Sequence, residues 1–250
     1  AVVGVSGGLD STLALLVTVE AFDRLQLPRK NIVGITMPGF GTTSRTKNNP
    51  IDLMAALEIS TREISITNSV LQHFEDIGHN VDTHDITYEN SQARERTQIL
   101  MDVANQMNAI VIGTGDMSEL ALGWCTYCGD QMSMYGVNSG VPKTLIRFVL
   151  DWLSRKKADS RISDIISDII DTPISPELLP DSNDKIVQKT EEAIGPYELH
   201  DFFLYHLLRF GYGSDKISFL AQKAFSDKYK KDVIDKWLEI FMKRFLTQQF

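Results

Sequence analysis

The sequence predicts an α/β protein with a doubly wound parallel sheet, followed by a helical C-terminal region. Four short apolar or β-branched runs, each followed by a turn and a helical pattern, are the candidate strands: residues 2–5, 32–37, 63–66 and 110–113. Single strands that alternate with helices are typical of a parallel sheet covered on both faces. Residues 196–250 show helical periodicity alone. The prediction is therefore a Rossmann-like sheet confined to the first part of the chain.

Capping signals and apolar stripes place the helices. Asn49 and Pro50 predict the N-cap and first residue of a helix that runs through Glu58, and Gly78 predicts the end of the next helix. A further helix is expected from Lys143 to about residue 155. The first helix carries an apolar stripe: Leu13, Leu15, Leu16, Val19 and Phe22.

The C-terminal region is predicted to be helical after a polar interruption. Residues 156–195 are rich in Asp, Ser and Pro, which predicts a mobile surface segment. Pro196 opens a helix, and the final helix carries one apolar face: Ile234, Trp237, Leu238, Phe241 and Phe245. We expect one domain over residues 1–250, with 156–195 as its mobile part.

Composition limits the class of protein. The chain has 250 residues, 43% of them hydrophobic, which is enough for one full core. Its net charge of −8 argues against a general nucleic-acid binder, and no apolar run approaches the ~18 residues of a membrane span. The sequence also lacks a secretory leader pattern, so we expect a cytoplasmic protein. Because it begins without Met and inside a predicted strand, we expect a fragment of a longer chain.

A glycine-rich loop directly after the first strand is the most informative motif. It reads Gly4, Val5, Ser6, Gly7, Gly8, Leu9, Asp10 and Ser11. Two glycines let the backbone approach an anion, and the N–H groups of the following helix favour phosphate. A carboxylate beside phosphates indicates a bridging cation, so Asp10 is a candidate Mg²⁺ ligand. Because Pro38 and Thr114 also follow predicted strands, we expect them in the same crevice as Ser6.

The loop differs from better-known nucleotide loops, because it has neither the P-loop lysine nor a G-x-G-x-x-G string. It resembles the loop of the ATP pyrophosphatases, which cleave ATP between the α and β phosphates and adenylate a substrate oxygen. Further stretches resemble one member of that superfamily, the NAD synthetase family: residues 37–40 with 46–49, 88–96, 113–124 and 129–135. The third stretch contains the long form S-E-L-A-L-G-W at residues 118–124. This form and residues 197–203 are similar to the bacterial glutamine-dependent branch of the family.

The resemblance implies a ligase that forms a C–N bond. The expected reaction is ATP-dependent amidation of deamido-NAD (nicotinic acid adenine dinucleotide) to NAD, through an adenylate, with release of AMP and pyrophosphate. It also implies an adenine nucleotide alpha hydrolase-like fold, a homo-oligomer that is at least a dimer, and an upstream nitrilase-like glutaminase domain that supplies ammonia. The expected small-molecule partners are ATP, Mg²⁺, deamido-NAD and ammonia.

The resemblance also implies the site residues. Catalytic positions are Asp10, Glu119 and Lys143, and the Mg²⁺ ligands are Asp10 and Glu119. ATP would contact the whole loop from Gly4 to Ser11 and four further positions: Met37, Thr114, Lys143 and Ser175. Deamido-NAD would contact a second set: Asn90, Arg94, Glu119, Trp124, Cys125, Thr126 and Tyr127.

Without the resemblance, several of these residues have plainer interpretations. Asn90 and Arg94 could belong to the solvated face of a helix, Trp124 to the core, and Lys143 to a solvated helix start. Cys125 and Cys128 form a C-x-x-C, but no second cysteine pair exists to complete a zinc site, so we expect reduced thiols without a function.

Two departures from the family pattern and two alternative functions stay open. The basic segment that follows residue 250 in relatives, and contributes a lysine to deamido-NAD, is not in this sequence, so substrate binding could be weak. No glutaminase apparatus is present either, so ammonia would come from solution. The alternatives are another ATP pyrophosphatase, of the GMP synthetase, asparagine synthetase or tRNA-thiolating type, and a non-catalytic nucleotide-binding module.

Overall fold

The computed structural model describes residues 1–41, 44–156, 160–172 and 190–249. Its five strands form one parallel sheet: β1 (Val2–Gly4), β2 (Val33–Thr36), β3 (Ser60–Glu63), β4 (Val111–Gly113) and β5 (Tyr135–Gly136). The spatial order is β3-β2-β1-β4-β5. Strands β2 and β3 lie on one side of β1, and strands β4 and β5 lie on its other side. The switch point between β1 and β4 is where ligands bind in sheets of this kind.

Helices cover both faces of the sheet. The helices of the sheet region are α1 (Leu9–Arg24), α2 (Ser44–Ala56), α3 (Thr67–Ile77), α4 (Ile86–Met107), α5 (Met117–Leu122), α6 (Lys143–Lys156) and α7 (Ser160–Ile170). Val3 faces a core formed with α1, α2, α6 and α7, whereas its neighbour Val2 faces a core formed with α3 and α4. This alternation follows from the two-residue period of a strand. The predicted doubly wound sheet is confirmed.

The described residues from 190 onward form a separate helical layer. It contains α8 (Thr190–Ile194), α9 (Tyr197–Phe210), α10 (Ser214–Ala224) and α11 (Lys231–Thr247). Apolar residues of these helices pack with the short helix α5 in a third core, in which Phe203, Ile234 and Phe241 are fully buried. The predicted helical C-terminal region is therefore confirmed, and it contacts the sheet region through α5 and α6. Within the described residues, no helix is long and apolar enough to cross a membrane.

Two local predictions were wrong in position. The third strand is Ser60–Glu63 rather than 63–66, because this edge strand exposes its side chains while the buried Ile66 follows it. The helix assigned to begin at Pro50 begins at Ser44, with Pro50 inside it. Asn49 does not act as an N-cap, because its side-chain nitrogen donates to Asp168 Oδ2 of α7 at 2.7 Å.

Part of the segment that was expected to be mobile is a packed helix. Helix α7 lies within residues 156–195 and buries Ile162, Ile166 and Ile169 in the core shared with α1 and α6. The polar residues that suggested a surface segment occupy the other face of this helix. Composition alone misled here because an amphipathic helix can be polar on average. The predicted helix end at Gly78 is confirmed, with a left-handed φ of 69°.

Candidate active site

The glycine-rich loop connects β1 to α1 at the switch point. Gly7 has a φ of 87°, a conformation that favours glycine, and Gly8 is the N-cap of α1. Ser6 Oγ accepts from Gly8 N at 3.3 Å and lies 3.1 Å from Ser11 Oγ, so the two hydroxyls brace the loop. Because Gly8 has no side-chain oxygen, the first N–H groups of α1 are left for a bound anion.

Lys143 stands at the centre of three carboxylates. Its Nζ lies 2.6 Å from Asp10 Oδ2, 2.6 Å from Asp116 Oδ2 and 2.8 Å from Glu119 Oε1. The lysine side chain is 3% exposed and Asp116 is fully buried. An isolated lysine this deep would lose its proton, so the carboxylates are what keep it charged. We call this group the Lys143 cluster.

Burial and charge act against each other in the Lys143 cluster. Burial raises the pKa of Asp10 to about 6 and that of Glu119 to about 8, although the nearby Lys143 ammonium lowers both. For Lys143, burial favours the neutral amine, but the three carboxylates together raise its pKa above the usual range. With every group ionised, the cluster would have three negative charges and one positive charge, and the raised pKa values show that one lysine does not fully balance this charge. A further cation would favour the ionised carboxylates.

The backbone around the cluster is held by two buried carboxylates. Asp116 is the N-cap of α5, where its Oδ1 accepts from Ser118 N at 2.7 Å and Glu119 N at 2.9 Å. Asp201 of α9 accepts from Thr144 N at 2.9 Å and from the hydroxyl of Ser118. Ser118 Oγ in turn accepts from Lys143 N at 2.9 Å. Helix α9 thereby sets the position of the helix start that carries Lys143.

Asn138 joins the two sides of the switch point. Its Nδ2 donates to Asp10 O at 2.9 Å and to Thr114 O at 3.1 Å, and the residue is 1% exposed. These bonds tie the first turn of α1 to the end of β4. Asn138 was missed because it follows β5, a two-residue strand that lacks an apolar run.

One cavity of about 730 Å³ contains most of the predicted site residues. From the ATP set, the lining includes Gly4, Val5, Ser6, Gly7, Gly8, Leu9, Asp10, Met37, Thr114 and Lys143. From the dinucleotide set, it includes Asn90, Glu119, Trp124, Cys125, Thr126 and Tyr127. Two sets that are distant in sequence therefore share one crevice, as expected for strands of a parallel sheet.

Two predicted residues, Ser11 and Arg94, stand apart from this lining. Ser11 is buried under the loop, where its hydroxyl donates to Gly8 O at 3.1 Å. Arg94 is exposed next to Trp124–Tyr127, the stretch that we call the wall of the cavity, and its Nε donates to Tyr127 O at 3.1 Å. This bond connects Arg94 to the stretch that holds other residues of the predicted dinucleotide set. Ser175 lies outside the described residues.

Asn90 and Asp130 also stabilise the wall of the cavity. Thr126 Oγ1 donates to Asn90 Oδ1 at 2.8 Å, and Thr126 N donates to Asp130 Oδ1 at 2.6 Å. Sequence reasoning missed several other charged groups of the site, including Arg96 and Arg244 in the lining, and Asp116 and Asp201 in the supports. Asp116 and Asp201 stand inside stretches that carried the family resemblance, and the Asp116-x-x-Glu119 pattern is also a helix-start signal that could have indicated Asp116.

The acidic side chains fit a hard divalent cation. Oxygens of Asp10, Asp116 and Glu119 lie within 4.8 Å of one another. Asp10 Oδ1 and Asp116 Oδ2 are buried without a hydrogen bond from the described part of the chain, although Asp116 Oδ2 faces the Lys143 ammonium. Carboxylate oxygens are the ligands that Mg²⁺ prefers. Asp116 adds a third candidate ligand to the predicted pair of Asp10 and Glu119.

The cysteines differ in environment. Cys125 lines the cavity, and burial raises the pKa of its thiol to about 12, whereas Cys128 is exposed. Both are free thiols in the structure. A thiol with a raised pKa is a poor nucleophile and a poor metal ligand, so the Cys125 thiol is not suited to either role.

The fold and the loop define a class: α/β proteins that present a phosphate-type loop and a charged cluster at the carboxyl edge of a parallel sheet. Within that class, the family model described as NAD synthase matches residues 1–244. The chain belongs to the NAD synthase family.

Individual relatives agree with this family. The chain is 42% identical over 268 aligned residues to a glutamine-dependent NAD(+) synthetase of Mycobacterium leprae, and 43% identical to that of Mycobacterium tuberculosis. Each alignment covers 98% of this chain and 39% of the relative. The chain thus spans about two fifths of the length of the curated relatives it matches.

Solved structures share the fold. A glutamine-dependent NAD(+) synthetase from Cytophaga hutchinsonii has a TM-score of 0.75 at 18% identity, over 99% of this chain and 45% of that one. The NMN synthetase of Francisella tularensis has a TM-score of 0.67 at 22% identity, over 92% of this chain and 86% of that one. The glutamine-dependent NAD+ synthetase of Acinetobacter baumannii, solved with ADP, has a TM-score of 0.60 at 21% identity, over 98% of this chain and 41% of that one.

Proposed function

We propose that this chain is the synthetase part of a glutamine-dependent NAD synthetase, and that it amidates deamido-NAD to NAD at the expense of ATP. The observation that carries the proposal is the sharing of one cavity by the glycine-rich loop, the Lys143 cluster and the wall at Trp124–Tyr127. The match to the NAD synthase family supports an amide-forming ligase reaction. The high coverage of this chain by the mycobacterial enzymes supports the glutamine-dependent branch.

The reaction needs activation because a carboxylate resists nucleophiles. A nicotinate carboxylate oxygen attacks the α-phosphorus of ATP and pyrophosphate leaves, which gives an acyl-adenylate. Ammonia then attacks the acyl carbon, AMP leaves, and a proton is lost from nitrogen. The enzyme must align the two nucleotides, balance the charge at phosphorus and exclude water. A covalent enzyme nucleophile is not required.

The residues of the cavity can supply these needs. The N–H groups at the start of α1 and the loop at Gly7 and Gly8 would bind the ATP phosphates. Lys143 would place a positive charge near the reacting phosphate, and its ion pairs hold that charge in position. Asp10, Asp116 and Glu119 would hold Mg²⁺, which when bound supplies further positive charge to the phosphates.

The wall residues would bind the dinucleotide. Trp124 presents an aromatic surface to the cavity, and such a surface suits the pyridine or adenine ring of the substrate. Asn90 and Thr126 hold one another at 2.8 Å and so fix the neighbouring part of the wall. Arg94 would act through Tyr127, whose carbonyl it binds. In this proposal Arg94 is a positioning residue.

The proposal extends to the expected partners. Ammonia would come from a glutaminase domain in the full-length protein, and the chain would form a homo-oligomer in the cytoplasm. The net charge of −8 supports a small-molecule substrate over a nucleic acid. Light scattering on the purified chain tests the oligomer, with a monomeric mass as the contradicting result.

The decisive assay measures pyrophosphate and NAD after ATP, Mg²⁺, deamido-NAD and ammonium chloride are added to the purified chain. We expect equal amounts of both products, and no NAD when glutamine replaces ammonium. Nicotinate mononucleotide, XMP, aspartate and tRNA serve as counter-substrates, because other members of the superfamily and the Francisella NMN synthetase share the fold. Preference for any of them contradicts the proposal, as does ATP binding without pyrophosphate release.

A further inference from the structure

The last helix is attached to the end of α5, the helix that carries Glu119. Arg244 of α11 donates from Nε to Leu122 O at 2.9 Å and from Nη2 to Gly123 O at 3.3 Å. Gln249 Nε2 donates to Ala121 O at 3.0 Å. A cation at these carbonyls also suits the negative end of the helix. Three donors from one segment therefore bind the carbonyls at the C-terminal end of α5, which lack partners within the helix.

The same contact leaves little room between the two segments. Gly123 has a φ of 56°, and a Cβ placed on it would lie 2.4 Å from Gln248 O. The backbone of the end of α11 therefore lies directly against the turn that leads into Trp124. Movement of α11 would move this turn, because the two backbones are in van der Waals contact.

Arg244 also contacts the wall of the cavity. Its Cζ lies 5.3 Å from the ring centroid of Trp124, which is the geometry of a cation–π contact, and both residues line the cavity. The hydrogen bonds to Leu122 and Gly123 prevent the guanidinium from rotating freely. One face of the indole is thus held by a group that is itself anchored on backbone.

We propose that Arg244 is a positioning residue that holds Trp124 in the orientation that binds a planar ring of the dinucleotide substrate. This inference rests on the proposed function. Arg244 contacts the turn and wall after α5, whereas the glycine-rich loop follows β1 on the other side of the switch point. Loss of Arg244 therefore weakens the dinucleotide complex and spares ATP binding.

The substitution that tests this is Arg244→Lys. Lysine keeps the positive charge and most of the length, but it lacks the planar group that stacks on indole while donating to two carbonyls. We expect the KM for deamido-NAD to rise about fivefold to tenfold, with KM for ATP and kcat within about twofold of the wild type. The control is Lys243→Ala, the exposed neighbour on α11, which leaves all three constants unchanged.

A double-mutant cycle with Trp124→Phe separates this role from a general structural one. If Arg244 acts through the indole, the Arg244→Lys effect on KM for deamido-NAD shrinks in the Trp124→Phe background. Equal effects in both backgrounds, an unchanged KM for deamido-NAD, or a parallel rise in both KM values each overturn the proposal. A wild-type chain that does not amidate deamido-NAD overturns the proposed function itself, and this inference with it.

Discussion

Lys143 and Asp10 form an ion pair of 2.6 Å between the first turns of two helices that are 133 positions apart in the sequence. Asp10 belongs to the glycine-rich loop and Lys143 begins α6, so the pair closes the cavity across the switch point. Lys143 is buried and Asp10 is mostly buried, so removal of either partner leaves a charge that water cannot solvate fully. The charge of each group in the Lys143 cluster is therefore stabilised or destabilised by the charges of the other three.

Substitution of Asp10 tests the metal assignment. Asp10→Asn preserves shape and removes the charge proposed to hold Mg²⁺, so we expect turnover to fall by about 100-fold or more, equivalent to about 3 kcal/mol. The measurement is the rate of pyrophosphate release across a Mg²⁺ titration. Asp215→Asn is the control, because Asp215 also lies in the first turn of a helix but is exposed. Near-normal turnover of Asp10→Asn at saturating Mg²⁺ contradicts the assignment.

Arg94→Ala tests whether support of the wall matters for substrate binding. The variant loses the bond from Nε to Tyr127 O, and we expect the KM for deamido-NAD to rise about tenfold, which corresponds to about 1.4 kcal/mol. The KM for ATP is expected to stay near the wild-type value. Steady-state kinetics with each substrate varied in turn provide both constants. Arg209→Ala, at an exposed arginine of α9, is the control. A rise in the KM for ATP alone would contradict the proposal that Arg94 supports dinucleotide binding.

His200 predicts a specific loss of stability in acid. Burial lowers its pKa to about 4 from the ordinary value of 6.5, although Ile194 O accepts from its Nε2 at 2.7 Å. Because the unfolded chain protonates first, this contribution to stability is full above about pH 6.5 and is lost as the pH falls toward 4. Between about pH 7.5 and 5, His200 should lower the free energy of unfolding by about 2 kcal/mol.

Denaturant unfolding of His200→Gln at both pH values checks this. The variant should lose less stability between the two pH values than the wild type does, whatever its stability at neutral pH. His73→Gln is the control, because His73 is exposed on α3, and it should retain the wild-type difference. An identical pH dependence in His200→Gln and the wild type contradicts the prediction.

Ile166→Ala tests whether α7 belongs to the core. The side chain is fully buried against the core that α1 and α6 share, so we expect its truncation to lower the free energy of unfolding by about 2 to 4 kcal/mol. Asp164→Ala, at an exposed position of the same helix, should change it by less than about 0.5 kcal/mol. Urea denaturation measures both variants. Equal stability of the two would show that α7 does not stabilise the fold.

Much of the sheet and its loop could be predicted because they depend on short-range patterns. Apolar runs marked β1, β2 and β4, and glycines marked the turn at Gly7. The edge strands were harder. Strand β3 exposes most of its side chains and β5 has two residues, so neither has the apolar pattern on which strand prediction depends.

The sequence by itself determined the class of fold, the phosphate-type loop and the candidate Asp10, because these follow from local periodicity and a contiguous motif. Glu119 and Lys143 became candidates only through the resemblance to the NAD synthetase family. Only the tertiary structure decided which distant groups complete the site. Asp201 supports the start of α6 from 57 positions away, and Arg244 reaches Gly123 across 121 positions. These contacts depend on how helices α5, α9 and α11 pack together. Many apolar faces can pack with one another, so no local pattern in the sequence specifies the side chains that meet across that interface.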